Sequence, residues 1–323
     1  MTVFLIRRLS QSTLVLLVTS LIVFFGVYAI GDPLELLMPP DATPAEIEQA
    51  TRSLGLDKPL PVQYLVFVGN ALQGDFGRSF VFNEPTISLI LNRFPATLEL
   101  ALMALFLSIV IGIPLGLYAG LKGGFVDRII MTGSIAGFSL PSFWQGMLLI
   151  LIFSINLGWL PSTGRGEIGY ILGIPTSLAT WDGIQHLILP AANLALFKVA
   201  LLIRLTRTGV REVLPLDFIR FARAKGLSEK RVVAVHILKY ILIPIITVIG
   251  MEFGSLLAFA TVTETIFSWP GVGKLIIDSI MRLDRPVVVA YILVVVTLFI
   301  FINTLVDVLY SILDPRVRLG GAK

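Results

Sequence analysis

Apolar positions along the chain gather into six long runs: Leu9–Ile30, Pro95–Leu121, Ile129–Leu157, His186–Leu205, Ile241–Phe267 and Val287–Leu313. At about 1.5 Å of rise per residue, each run is long enough as a helix to cross roughly 30 Å of hydrocarbon. The pattern predicts an all-α membrane protein with six transmembrane helices in a single membrane domain spanning 1–323. The first run follows Arg7-Arg8 and imitates a signal peptide, but it exceeds the roughly 7–15 apolar residues of such a segment. It is expected to be a retained anchor.

The polar stretches between the runs set the orientation. With the N-terminus inside, the inner segments hold sixteen Lys and Arg residues and the outer loops eight. The positive-inside rule then places both termini in the cytoplasm. The first outer loop, 31–94, carries eight acids against four bases. Within it Thr43-Pro44-Ala45-Glu46 has the form of a capping box with proline at the first helical position, which predicts a short helix to about Leu54 that Gly55 stops. The loop is expected to be a structured extracytoplasmic cap.

Composition agrees with this pattern. Hydrophobic residues make up 56% of 323 positions and charged residues 14%, against about 25% charged in soluble domains, which excludes a soluble globule. The net charge of +4 and the pI near 9.4 come from bases gathered on one side of the membrane, so they read as topology and no nucleic-acid partner is expected. The absence of cysteine rules out thiolate metal sites and cysteine nucleophiles. His186 and His236 stand apart, outside any ligand-spaced cluster, and no metal site is expected.

Several short patterns need sorting. Gly112/Gly116/Gly120, Gly133/Gly137 and Gly250/Gly254 are GxxxG spacings, read as close helix packing. Gly164-Arg165-Gly166-Glu167-Ile168-Gly169 fits GxGxxG but has no preceding strand, so it reads as a turn-rich loop. Gly271-Val272-Gly273-Lys274-Leu275 is similar to the end of a phosphate loop, yet Ser268 and Leu275 occupy positions that loop gives to Gly and to Ser/Thr. The chain is therefore not expected to bind ATP itself.

The inner segment 206–240 is the most informative. Asp217 reads as an N-cap, the next eight residues as a short helix, Gly226 as a left-handed C′ residue, and Ser228 as the cap of a second helix toward Lys239. The residues alone leave two readings, a basic loop serving topology or a helix–glycine–helix element with a task of its own.

This segment, Glu212 to Ser228, resembles the EAA loop of ABC importer permeases. Leu54-Gly55-Leu56-Asp57-Lys58-Pro59, Gln73-Gly74-Asp75-Phe76-Gly77-Arg78-Ser79, Pro95-Ala96-Thr97-Leu98-Glu99-Leu100, Glu264-Thr265-Ile266-Phe267-Ser268-Trp269-Pro270-Gly271-Val272-Gly273 and Gly31-Asp32-Pro33 resemble the first (B-type) permease subunit of the dipeptide, oligopeptide and nickel importers. One departure is Phe221, where the resemblance implies a small or polar residue. The resemblance implies the type I ABC importer permease fold in a bacterial inner (plasma) membrane, multi-pass. It implies a homologous second permease, two cytoplasmic ATPase subunits holding ATP and magnesium, and an extracytoplasmic solute-binding protein. The chain is then a non-catalytic subunit with no cofactor of its own. Glu212, Asp217, Ala222, Arg223, Ala224, Lys225 and Gly226 are the implied ATPase-coupling residues. The cargo is expected to be di- or oligopeptides, with a nickel chelate or another small solute as alternatives.

Glu99, Lys198, Glu252, Glu264 and Asp307 lie in or at the edges of the runs, where an unpaired charge is costly. Lys198 and Glu252 sit deepest, at depths about 4 Å apart, as either a structural ion pair or a path-lining pair. Glu99 and Glu264 read as interfacial. Phe267, Trp269 and Pro270, with Glu264 and Gly271, read as an outer-surface element, either an aromatic belt or a gate that contacts the binding protein. A secondary transporter would use such intramembrane charges but would leave the helix–glycine–helix segment without a purpose.

Overall fold

The computed structural model describes residues 2–28, 34, 38, 41–53 and 55–313, with backbone only at 2–7, 9, 28 and 306–313. Gly31-Asp32-Pro33, Leu54, the Asp307 side chain, Arg316, Arg318 and Lys323 lie outside the described residues. The helices are α1 (Thr2–Tyr28), α2 (Pro44–Ser53), α3 (Leu60–Ala71), α4 (Thr86–Lys122), α5 (Gly124–Ser139) and α6 (Ser142–Leu149, prolonged as a π-helical turn over Ile150–Asn156). A small hairpin, β1 (Gly169–Ile171) and β2 (Ile174–Thr176), precedes α7 (Trp181–Val213) and α8 (Asp217–Ala224). After α9 (Glu229–Arg231) a π-helical stretch, Val232–Ile237, leads into α10 (Leu238–Ile266), followed by α11 (Val272–Met281) and α12 (Arg285–Leu313).

Among the described residues five helical segments are long and apolar enough to cross a membrane: α1, α4, α7, α9 through α10, and α12. The expected third span is broken. Its halves α5 and α6 are bent by 104°, and the bent pair counted as one gives six. Proline is the cause: the residue before it is pushed out of the helical region, and Leu140 is extended (φ −91°, ψ 138°) ahead of Pro141.

Contacts within the chain group it into two units, Met1–Ala96 with Pro270–Phe301, and Thr97–Trp269 with Ile302–Lys323. In the first, Val272, Leu275 and Ile276 of α11 pack with Val287, Ala290 and Leu293 of α12 and with Leu89 and Ile90 of α4. The buried Asp284 carboxylate accepts from the Ser79 hydroxyl and from the Phe80 amide at 3.0 Å, which fastens the 79–82 turn to the head of α12. At α2 the expected capping box is present. The Thr43 amide donates to Glu46 Oε2 at 2.8 Å and the Glu46 amide to Thr43 Oγ1 at 3.4 Å. The Thr43 amide and hydroxyl, both donating to Oε2, hold the Glu46 carboxyl below its ordinary range. Gly55, at φ +67°, then turns the chain as the sequence requires.

In the second unit the first glycine stripe does the expected work. A methyl group at Gly116 would lie 2.6 Å from Thr206 Cβ and 2.7 Å from the Ile203 carbonyl, so α4 and α7 approach closely only because side chains are missing. Gly133 and Gly137 do not pack in this way. Nothing lies within 4 Å of a Cβ built on either, and both border an apolar cavity of about 270 Å3 shared with α4 and α7.

Candidate functional site

Helix α8 is made by its sequence and held by one face. Its pattern puts Ile219 and Ala222 inward, where they are buried with Val210 and Val213 of α7, with Ile237 of the π-helical stretch and with Ile241 of α10. Full burial of a side chain such as Ile219 contributes about 1.5–3 kcal/mol. The opposite face shows Asp217, Arg220, Phe221 and Lys225 to solvent, with Glu212 exposed at the end of α7. Phe221 is 61% exposed, and the Lys225 ammonium lies 4.5 Å from its ring centroid. The departure noted in the sequence is thus an outward aromatic, compatible with the anchoring of the helix.

The end of α8 is fixed by hydrogen bonds. The Gly226 amide donates to the Arg223 carbonyl at 2.9 Å and the Leu227 amide to the Ala222 carbonyl at 3.3 Å. This is a Schellman turn with Gly226 at C′, φ +77°. Arg223 then reaches across the turn to both carboxylate oxygens of Glu229, at 2.8 and 3.1 Å. Two expectations change. Asp217 is the first helical residue, because the extended Leu216 already occupies the N-cap position; its exposed carboxylate lies 3.9 Å from Arg220 Nη1 in the first turn, where the helix dipole favours it. Ala222 is buried and anchors the helix, while Arg223, Ala224 and Lys225 face outward. Ser228 does stand at the N-cap of α9, where its carbonyl accepts from the Arg231 and Val232 amides at 2.9 and 3.0 Å.

Helix α7, which carries α8 at its end, is tied down along its length by ion pairs. Near the end, Arg207 and Arg211 both bind the buried Asp127 of α5, with Arg207 Nη2 at 2.8 Å and Arg211 Nη2 at 2.6 Å from Oδ2. Nothing in the spacing of these residues announced the cluster. Deeper along α7, Lys198 pairs with Glu252 of α10, and its ammonium also donates to Ser255 Oγ at 2.7 Å. The Ser255 hydroxyl lies 2.9 Å from Glu252 Oε2.

The other end of this unit differs most from expectation. Phe267 and Trp269, read as surface aromatics, are 1% and 0% exposed, and Glu264 is completely buried, accepting from Thr97 Oγ1 at 2.5 Å. Pro270 is exposed and Gly271 buried. Glu99, also read as interfacial, is buried in an ion pair with Arg165, and the Ser177 amide donates to its Oε1 at 2.8 Å. The Arg165 guanidinium lies 5.6 Å from the Trp269 ring centroid, and the Gly164 amide donates to the Phe267 carbonyl at 2.8 Å. The GxGxxG-like stretch is therefore a strap that leads into the hairpin and carries one buried cation. Sequence reading classed the loop correctly and missed Arg165, whose signal was a lone base in a long outer loop.

The described residues hold five apolar spans, or six with the bent pair counted as one, and comparison with known proteins supplies the class of protein they belong to. Residues 112–319 match the family described as binding-protein-dependent transport system inner membrane component, and residues 1–101 match the N-terminal family of such membrane components. The chain belongs to this family, and it is a multi-pass permease of the inner membrane. It is 45% identical over 319 residues to the di/tripeptide transport system permease protein DppB of Pseudomonas aeruginosa (strain UCBPP-PA14), covering 91% of this chain and 95% of that protein. It is 39% identical to the dipeptide transport system permease protein DppB of Escherichia coli (strain K12), covering 98% of each. The glutathione transport system permease protein GsiC of the same strain is also 39% identical, over 98% of each chain. Among solved structures, the inward-facing MetNI methionine ABC transporter matches with a TM-score of 0.57 at 15% identity, over 71% of this chain and 97% of that one. This last likeness establishes the fold.

Proposed function

We propose that the chain forms, with a homologous second permease, the membrane path of an ATP-driven importer of di- or oligopeptides. Both termini are cytoplasmic, 31–94 is extracytoplasmic, and 206–240 is the cytoplasmic coupling loop of one permease domain. Two ATPase subunits bind ATP and magnesium and perform the hydrolysis. A solute-binding protein delivers the cargo. ATPase closure pushes on the outward face of α8, and the rigid seat of Ile219 and Ala222 passes the displacement to α7 and α10.

The observation that carries this reading is near full-length similarity to permeases named for dipeptides and di/tripeptides. Glutathione, the cargo named for another relative, is also a small peptide. The capped geometry of α8 supports the coupling role, and the pairing of Lys198 and Glu252 with each other supports a structural part for those charges. Reconstitution with the partner subunits tests the proposal. Uptake of a labelled dipeptide should require ATP and the binding protein. Uptake driven by an ion gradient without ATP, or preference for a nickel chelate over dipeptides, would contradict it.

A further inference from the structure

The unit formed by Met1–Ala96 and Pro270–Phe301 holds a cavity of about 520 Å3 that the transport reading does not use. Its apolar side comes from Phe24 and Val27 at the end of α1, Val66 and Phe67 of α3, and Val289 near the start of α12. Its charge comes from Lys58, Arg285 and Arg78, whose Nη2 also donates to the Asn83 carbonyl at 2.7 Å. One carboxylate lines it, Asp75, and an oxygen of that group already accepts from the Gly77 amide at 2.8 Å. Asp284, beside Arg285, is engaged by the Ser79 hydroxyl and the Phe80 amide.

This charge runs against its background. Residues 31–94 contain eight acids and four bases, yet two of the four bases and one of the eight acids line the cavity. Helix α12 begins at Arg285, so the positive end of its dipole lies at the same wall. Such a lining selects an anion.

The depth of the cavity narrows the choice. Helix α3 lies alongside the end of α1, because the Tyr64 hydroxyl is 2.8 Å from the Ser20 hydroxyl and Phe24 meets the rings of Tyr64 and Phe67. Ser20 belongs to the apolar window Ser10–Val27, which is long and apolar enough to cross a membrane. Helix α3 itself is uncharged, too short to span, and leaves Leu65 and Val66 69% and 48% exposed. An apolar helix at this level, beside a basic cavity, belongs where acyl chains meet headgroups.

We infer that this cavity binds an acidic phospholipid, with the phosphate toward Lys58, Arg78 and Arg285 and an acyl chain along α3 and the Phe24–Phe67 wall. The lipid ties the 53–83 segment to the bilayer surface. A soluble anion such as a peptide carboxylate would satisfy the cations but leave the exposed face of α3 uncovered.

The test uses the permease with its partner subunits in bilayer discs made from equal amounts of phosphatidylglycerol and phosphatidylcholine, extracted into mild detergent, with retained lipid quantified by mass spectrometry. Phosphatidylglycerol should be retained preferentially, and Lys58→Gln, Arg78→Gln and Arg285→Gln should each lower that retention about fivefold. Arg52→Gln, just before this segment and outside the cavity, should leave it unchanged. If Arg285→Gln fails to assemble, Lys58→Gln carries the test, because that side chain is exposed. Equal retention of the two lipids, retention indifferent to all three cations, or displacement of phosphatidylglycerol by dialanine would each overturn the inference.

Discussion

Arg165 and Glu99, 66 positions apart, form an ion pair with both side chains below 10% exposure, and the guanidinium lies against the Trp269 ring. The pair joins the strap before the hairpin to α4, so it should act as a unit. Breaking a buried pair by removing one partner costs about 3–5 kcal/mol, whereas removing both leaves no stranded charge. Arg165→Met and Glu99→Gln should each lower the melting temperature of the solubilised permease, and the double variant should lie above the sum of their losses. Simple additivity would mean that the pair contributes no coupling.

Trp269, read from sequence as a surface aromatic, is entirely buried. Trp269→Ala should therefore lower folded yield as well as uptake, at a cost of about 3–5 kcal/mol for an emptied core position. Full yield with lost uptake would restore the surface-contact reading.

Lys198 and Glu252 provide a second charge-pair test. Lys198→Glu and Glu252→Lys should each damage assembly or transport, and the exchange of both should recover part of it, since the attraction is kept. A double variant no better than the worse single one would remove the pair from the account.

The glycine stripes predict opposite responses to one methyl group. Gly116→Ala must push α4 away from α7, where a Cβ would stand 2.6 Å from Thr206 Cβ, and overpacking of this kind costs about 1–3 kcal/mol. Gly133→Ala meets nothing within 4 Å and should be neutral or stabilising by up to about 1 kcal/mol. Equal effects in thermal unfolding would show that the stripe is not a packing seam.

These contrasts mark what was legible in the sequence. Turns that demand a particular backbone were readable: Gly55 and Gly226 both take the left-handed conformation, and Thr43 with Glu46 forms the expected capping box. The apolar runs located the spans. What escaped depended on partners far along the chain. Gly116 and Gly133 have the same spacing, and only the arrival of α7 separates them. Phe267 and Trp269 carry a surface signature because aromatics favour membrane interfaces, yet the strap around Arg165 covers Trp269. The Asp127, Arg207 and Arg211 cluster joins residues about 80 positions apart, which no local pattern records. The break at Pro141 did have a local signal, hidden by the unbroken apolar composition around it.

The capping box gives a pH dependence. The Glu46 carboxyl is held below its ordinary range by the Thr43 amide and hydroxyl. A depressed folded-state pKa contributes stability that is present above the unfolded pKa and lost as pH falls through the folded one. Protection of the amides across Pro44–Ser53, taken relative to their intrinsic exchange rates at each pH, should therefore fall as the medium is acidified through the lower carboxylate range, and Glu46→Gln should flatten that response. An unchanged pH profile in the glutamine variant would contradict the assignment.

The central claim is that α8, aimed by the Gly226 turn, carries ATPase movement into the membrane. Gly226 has open space around it but a φ of +77°, so a substitution there acts through backbone strain and not through a clash. Asparagine tolerates this conformation and β-branched residues do not. The decisive measurement is ATP-driven dipeptide uptake in reconstituted vesicles for Gly226→Asn and Gly226→Val, alongside ATPase pull-down and hydrolysis. The asparagine variant should transport, and the valine variant should insert normally yet lose uptake, either by releasing the ATPases or by hydrolysing ATP without transport. A fully coupled Gly226→Val complex would contradict the account and return 206–240 to the role of a topology signal.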